Sequence, residues 1–212
     1  MLNLPLDERW DCKGIEKAQF SCAFSVFICI IKKNVLPLLQ KDNMTRKHIY
    51  LAGGCFWGTE HFFKQIAGVV ETEVGFANGQ TDNPTYEQVY TDKTGYAETV
   101  HVTYNPDTIS LEFLLRMFFV AIDPTSLNKQ GHDEGTRYRT GIYYTDVEDL
   151  PIIERIYAEE QSKYSQPLAV EKLPLHNFYP ADEYHQDYLE KHPDGYCHLP
   201  KALFDFARNA KK

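Results

Sequence analysis

An α/β fold is what this sequence predicts, in the form of a two-layer sandwich on a mixed or antiparallel sheet. Stretches whose apolar residues recur at every second position alternate along the chain with stretches whose apolar residues recur at helical spacing. Hairpin-like stretches lie between several of them. With 14 Tyr and 13 Phe the chain also carries enough large apolar surface for a sizeable core.

The elements follow in order. His48 to Leu51 reads as a short strand, ended by Gly53-Gly54, a turn that permits positive φ. Phe56 to Ile66 reads as a helix, with Phe62, Phe63 and Ile66 spaced for one buried side. From Val69 to Phe76 the residues Val70, Thr72, Val74 and Phe76 share one face of a strand. Asn78 to Thr85, with Gly79 and Pro84, is a turn-rich loop. Ala97 to Tyr104 is a strand. Ser110 can cap a helix over Leu111 to Ile122, apolar nearly all round and so deeply buried. Asp123-Pro124 stops it, and Thr125 to Tyr138 is a long polar loop of the kind that often carries function. A strand over Gly141 to Tyr144, a helix from Pro151 to about Tyr164, a strand over Val170 to Leu175 and a short helix over Asp182 to Glu190 complete the domain. The tail beyond reads as irregular.

Composition narrows the function. The net charge of −8 and the lack of a basic stripe argue against nucleic-acid binding, which depends on clustered Lys and Arg. Five cysteines at irregular spacing (Cys12, Cys22, Cys29, Cys55, Cys197) do not form a secreted disulfide framework, so a reducing compartment, the cytoplasm, is expected. Residues 1–43 differ in character: six basic against five acidic residues give this segment a net of +1, leaving −9 for the rest. Its apolar run Ala18 to Ile31 falls short of the roughly 20 residues of a membrane span and makes a poor signal peptide. A packed or loosely docked extension is preferred over a membrane anchor, and Met44 is read as the natural start. The reading is therefore an extension of unknown role over 1–43 and one domain over 44–212.

Two residues stand out chemically. Cys55 lies between a strand-ending Gly-Gly and the first turn of a helix, where free backbone N–H groups and the helix dipole favour negative charge. Such a cysteine tends toward a lowered pKa, and the thiolate is the reactive form. A buried core cysteine is an equal reading on position alone. Glu98 shares its strand face with Val100, Val102 and Tyr104, so period two turns it toward the interior. A carboxyl there is desolvated, keeps its proton near neutral pH and can donate it; the alternative is that it snorkels from the strand end. Near the C-terminus, Pro193, Asp194 and Gly195 make a turn before Tyr196-Cys197. A cysteine on such a turn can swing toward another thiol or can be an idle surface thiol. Metal binding by Cys197, His198, His192 and His185 is a further reading, but no closed four-ligand spacing is present.

The run Gly54-Cys55-Phe56-Trp57-Gly58 resembles the signature of the peptide-methionine (S)-S-oxide reductases, the MsrA family. The resemblance extends from about His48 to Cys197, through Gly75-Phe76 with Gly79, Asn83-Pro84-Thr85-Tyr86, Gly95-Tyr96-Ala97-Glu98, the block His132 to Arg139, and Gly195-Tyr196-Cys197. It implies a two-layer, ferredoxin-like α/β plait with a largely antiparallel sheet, and thioredoxin as reductant, with no metal or organic cofactor. It also implies roles. Cys55 would attack the sulfoxide sulfur, and Glu98, helped by the hydroxyls of Tyr86 and Tyr138, would protonate its oxygen. Phe56 and Trp57 would hold the methyl group. Asp133 would support the polar network, Tyr188 and Tyr196 would lie near it, and Cys197 would be the resolving cysteine. No cysteine follows Cys197, so a Cys55–Cys197 bond would be reduced directly. A monomer is expected.

A sulfoxide is a poor electrophile until its oxygen is protonated, so the site must offer a thiolate and an acid together. One rival is a different thiol enzyme, a general thiol-disulfide oxidoreductase or a cysteine hydrolase; a hydrolase would need a His base, and His61 is the nearest in sequence, but six residues, about 1.7 helical turns, point it away from Cys55. The other is a binding module for oxidised methionine or a silent relative, against which the intact set Cys55, Glu98, Tyr86, Tyr138 and Cys197 speaks.

Overall fold

The computed structural model describes residues 46–211. The leading segment, with Met44, Cys12, Cys22 and Cys29 and its apolar run, lies outside the described residues. The chain from Thr45 onward forms one compact unit.

Strand β1 (Lys47–Gly53) runs through the middle of a six-stranded sheet. Its neighbours are β3 (Ala97–Tyr104) on one side and β6 (Thr140–Tyr144) on the other, both antiparallel. Beyond β3 lie β2 (Val69–Ala77) and the edge strand β8 (Phe178–Pro180), again antiparallel. Beyond β6 lies β7 (Glu171–Pro174), which is parallel to it. The order is β7-β6-β1-β3-β2-β8, a mixed and mainly antiparallel sheet. Two short strands, β4 (Lys129–Gln130) and β5 (Asp133–Glu134), form a separate hairpin.

Helix α1 (Phe56–Lys64) packs on β2 and β3 and buries Phe62 and Phe63 completely. Full burial of one such side chain contributes about 1.5–3 kcal/mol. Helix α2 (Tyr86–Tyr90) opens on a capping box, in which Thr85 Oγ1 accepts from Gln88 N and Gln88 Oε1 accepts from Thr85 N. Helix α3 (Leu111–Ala121) starts where Ser110 Oγ accepts from Phe113 N, as the capping signal predicts. It is not buried all round: Glu112 and Arg116 on its outer side form an ion-pair network with Arg155 and Glu159 of α4 (Leu150–Gln161).

Three expectations need correction. The segment Asp182 to Glu190 is mostly turns, and only α5 (Tyr188–Lys191) is helical, entered through Asp187 at φ 55°. The tail is not irregular, because α6 (Lys201–Asn209) follows Pro200 and buries Phe204 and Ala207. The polar loop 125–138 contains the β4–β5 hairpin and a turn of 3-10 helix over Thr136–Tyr138. Among the described residues no helix is long and apolar enough to cross a membrane.

Candidate active site

Cys55 is the N-cap residue of α1, with φ −56° and ψ 122°. Gly54, at φ +86°, makes the turn into it, and a Cβ there would lie 2.6 Å from the Cβ of Gln130. Only glycine relieves both constraints at once. The backbone N–H groups of Trp57 and Gly58 point at the Cys55 sulfur and favour its thiolate. Burial opposes them and wins, because the thiol is only 5% exposed. Burial first, and the nearby Glu98 second, hold the thiol well above its ordinary range, so the expected lowering is reversed.

Glu98 faces the interior as the alternation predicts and is 1% exposed. Its Oε2 accepts from Phe56 N at 3.1 Å, the first amide of α1, while its Oε1 is buried with no protein partner. Burial raises the carboxyl to about 8 against the lowering by the Phe56 amide and the Arg137 charge, so it is protonated at neutral pH. Acid and thiol thus flank the same helix turn.

Aromatic side chains close round this pair. Phe56 packs against Phe76, Tyr86 and His185. Trp57 stacks on Tyr188, with ring centroids 3.7 Å apart and 12° between planes. The segment carrying Tyr188 is held by Glu60 of α1, whose carboxylate oxygens accept from Asp187 N at 2.9 Å and from Thr72 Oγ1 at 3.1 Å. Tyr86 and Tyr138 each sit close enough to Glu98 and Cys55 to feel their charge, and burial pushes both phenols up, so they remain hydrogen-bond donors. Arg137 ties their two loops together. It bonds Asp92 Oδ2 at 2.6 Å and its guanidinium lies 4.2 Å above Tyr90 and 4.3 Å above Tyr138.

The other wall is the β4–β5 hairpin. Gln130 locks it to the end of α3 by two 2.8 Å bonds with the Asp123 backbone. Asp133 Oδ1 accepts from the Tyr196 hydroxyl at 2.8 Å, and its Oδ2 is buried without a partner. Cys197 is half-buried, its sulfur accepting from Leu199 N at 3.4 Å, and no disulfide joins it to Cys55. A Cβ on Gly58 would lie 3.0 Å from the Cys197 sulfur and 3.0 Å from His198 Nδ1, so the second thiol rests directly on the helix turn that begins at Cys55.

The ten side chains to which the resemblance gives roles therefore fall on or beside one helix start. Glu60 and Gln130 belong to the same surroundings and carry no signature in the sequence; His185 and His198, candidates there only as metal donors, and Arg137, within the block His132 to Arg139, belong to it as well. The four proposed metal donors do not converge. His185 lies among Phe56, Trp57 and Tyr86, and His192 lies against Tyr184 and Tyr188. Cys55, Asp133 and His198 instead bring one donor atom each within 4.8 Å of one another, one short of a closed four-ligand set. His61 packs at right angles to Phe204, with ring centroids 4.7 Å apart.

A buried thiol at a helix start, an acid held protonated beside it and a second thiol on the same turn define a thiol-dependent oxidoreductase. Comparison with known proteins gives the family. The family model described as peptide methionine sulfoxide reductase matches residues 47–212. The chain is 56% identical over 157 residues to a peptide methionine sulfoxide reductase MsrA of Clostridium acetobutylicum, covering 74% of this chain and 97% of that one. Its fold matches the crystal structure of reduced Mxr1 from Saccharomyces cerevisiae with a TM-score of 0.71 at 41% identity, over 75% of this chain and 93% of that one. The same yeast protein in complex with Trx2 matches with a TM-score of 0.50 at 32% identity, over 69% and 87%. This chain belongs to the peptide methionine sulfoxide reductase family.

Proposed function

We propose that this protein reduces the S epimer of methionine sulfoxide, free or in proteins, to methionine, with Cys55 as nucleophile and Cys197 as resolving thiol. The observation that carries the reading is the meeting of Cys55 and protonated Glu98 at the first turn of α1, where the Phe56 amide anchors the acid beside the sulfur.

A substrate oxygen accepts the Glu98 proton, with the hydroxyls of Tyr86 and Tyr138 donating to the same oxygen. Phe56 and Trp57, braced by Tyr188, hold the methyl group by apolar burial. The Cys55 thiolate, stabilised by the Trp57 and Gly58 amides, attacks the sulfur. The attack joins the two sulfurs while the protonated oxygen is still on the substrate; that oxygen then passes to the Cys55 sulfur as the S–S and substrate S–O bonds break, so methionine leaves, Cys55 becomes a sulfenic acid and Glu98 is left as carboxylate. Cys197 condenses with the sulfenic acid to form a disulfide and water. Both electrons come from the two thiols, so the chemistry calls for no metal or organic cofactor.

The disulfide is then returned to thiols by thioredoxin through exchange. Support for this partner is the yeast relative's structure with Trx2 and the half-exposed position of Cys197. Asp133, bonded to Tyr196, keeps the polar wall in place. We further assign residues 44–212 as the reductase domain, with 1–43 an extension. The domain is a two-layer, ferredoxin-like plait, supported by the order β6-β1-β3-β2 of its central strands, and it acts as a monomer in the cytoplasm.

A thioredoxin-coupled assay with separated epimers tests the whole reading. Turnover of the S epimer with little of the R epimer is expected. Equal turnover of both, or ester cleavage without sulfoxide loss, would refute it.

A further inference from the structure

His198 takes no part in the steps above, yet its ring lies near both thiols, against the helix turn that begins at Cys55. Its ring crosses the turn that carries Cys55. A Cβ on Gly54 would lie 3.3 Å from Nε2, and a Cβ on Gly58 would lie 3.0 Å from both Nδ1 and the Cys197 sulfur. One of its nitrogens lies within 4.8 Å of the Cys55 sulfur and of an Asp133 oxygen. Both nitrogens are buried and neither makes a hydrogen bond in the protein; the Gly53 carbonyl approaches the ring but falls short of that geometry. Buried polar atoms are normally satisfied, and an exception at a reacting centre points to a use. The companion atom Asp133 Oδ2 is unpartnered in the same space.

We propose that His198 carries the proton in the second half of the reaction, taking it from the Cys197 thiol and delivering it to the oxygen that leaves Cys55. The inference rests on the reductase reading above. The Cys197 S–H bond breaks to the imidazole, the Cys197 sulfur bonds to the Cys55 sulfur, the Cys55 S–O bond breaks, and the departing hydroxide takes the proton from the imidazolium as water. Cys197 is oxidised and the Cys55 sulfenic acid is reduced to the disulfide level, so no outside reactant is needed. The Asp133 carboxylate faces the ring and steadies the transient imidazolium. Without such a base the Cys197 thiol ionises poorly, because burial raises it above its ordinary value.

The groups facing His198 are Asp133 from β5, Cys55 at the start of α1 and Cys197 beside it. Burial outweighs Asp133 and keeps the imidazole below its ordinary pKa, so at neutral pH it is a free base.

The test is a rapid-quench single turnover of the reduced full-length chain with one equivalent of an S-epimer methyl sulfoxide. It measures methionine released and, separately, the mass of the Cys55–Cys197 cross-linked peptide. In His198→Gln the methionine burst should persist while disulfide formation slows by on the order of 100-fold, the usual scale of general acid–base assistance. The slowed step should climb steadily with pH, where the wild-type step falls only in acid and is flat above neutrality. Imidazole added to His198→Ala should restore part of the rate. Disulfide formation within about twofold of wild type in His198→Gln, with an unchanged pH profile, would overturn the proposal and leave the reductase reading intact. Loss of the burst itself in both variants would also overturn it, since His198 would then serve the first step or the fold. Absence of a burst in the wild type would refute the reductase reading and this inference together.

Discussion

Glu98→Gln separates the acid's work from its cost to the fold. In the folded protein the carboxyl is raised from 4.5 to about 8, chiefly by burial. Between those two values the folded state keeps a proton that the unfolded state has released, so wild-type stability falls as pH rises through this window and levels off above it. At 1.36 kcal/mol per pKa unit, the loss attributable to Glu98 from about pH 5 to pH 8 reaches about 4 kcal/mol, an upper bound because relaxation and water entry reduce it. The amide of the variant has no proton to lose and removes this contribution while still accepting from the Phe56 amide. Urea melts at pH 5, 6.5 and 8 should show a clearly smaller drop in the variant than in the wild type, the drop that remains coming from Glu60, which burial raises to about 7. In parallel, single-turnover release of methionine at pH 7 should slow by about 10²–10⁴-fold, the range for a lost general acid. In the wild type the same rate should rise with pH up to about 8 and then level off, because above that point each gain in Cys55 thiolate is offset by loss of the Glu98 proton. Parallel pH-stability curves for the two proteins, or an unchanged first-step rate, would refute the argument.

The remaining predictions concern the surroundings. Gly58→Ala places a methyl 3.0 Å from the Cys197 sulfur and His198 Nδ1; disulfide formation should slow more than methionine release, as quenched-flow peptide mapping would read. Trp57→Ala removes the surface stacked 3.7 Å from Tyr188 and should raise KM for methyl sulfoxides by about tenfold, on the order of the 1.5–3 kcal/mol of a buried large side chain shared between fold and substrate; steady-state kinetics checks this. Arg137→Ala breaks the 2.6 Å bond to Asp92 and the ring contacts to Tyr90 and Tyr138, and should lower kcat while leaving the far-UV spectrum unchanged.

Much of this is legible in the sequence. The alternation in Ala97 to Tyr104 put Glu98 inward because a period of two leaves no other face for a residue that shares register with Val100 and Val102. Ser110 marked the start of α3 because a hydroxyl there satisfies an otherwise free amide. The direction of the Cys55 shift was not legible. The helix start argues for a low value, and only three-dimensional burial, which the sequence does not measure, reverses it. Helix α6 had a signal in the sequence, since Leu203, Phe204 and Ala207 recur at helical spacing after Pro200 and pack on the core. The edge strand β8 was missed because three residues carry no periodicity. The sequence presents His198 only as a metal donor, since its approach to Cys55 depends on how the turn at Gly195 returns the chain to α1.

The most direct test isolates the oxygen. Cys197→Ser protein, fully reduced and given an excess of S-epimer sulfoxide without reductant, should release about one methionine per chain. It should gain a single oxygen, mapped to Cys55 and trapped there by dimedone. Methionine formed with no oxygen on Cys55, or continued turnover of this variant with thioredoxin at the wild-type rate, would contradict the account.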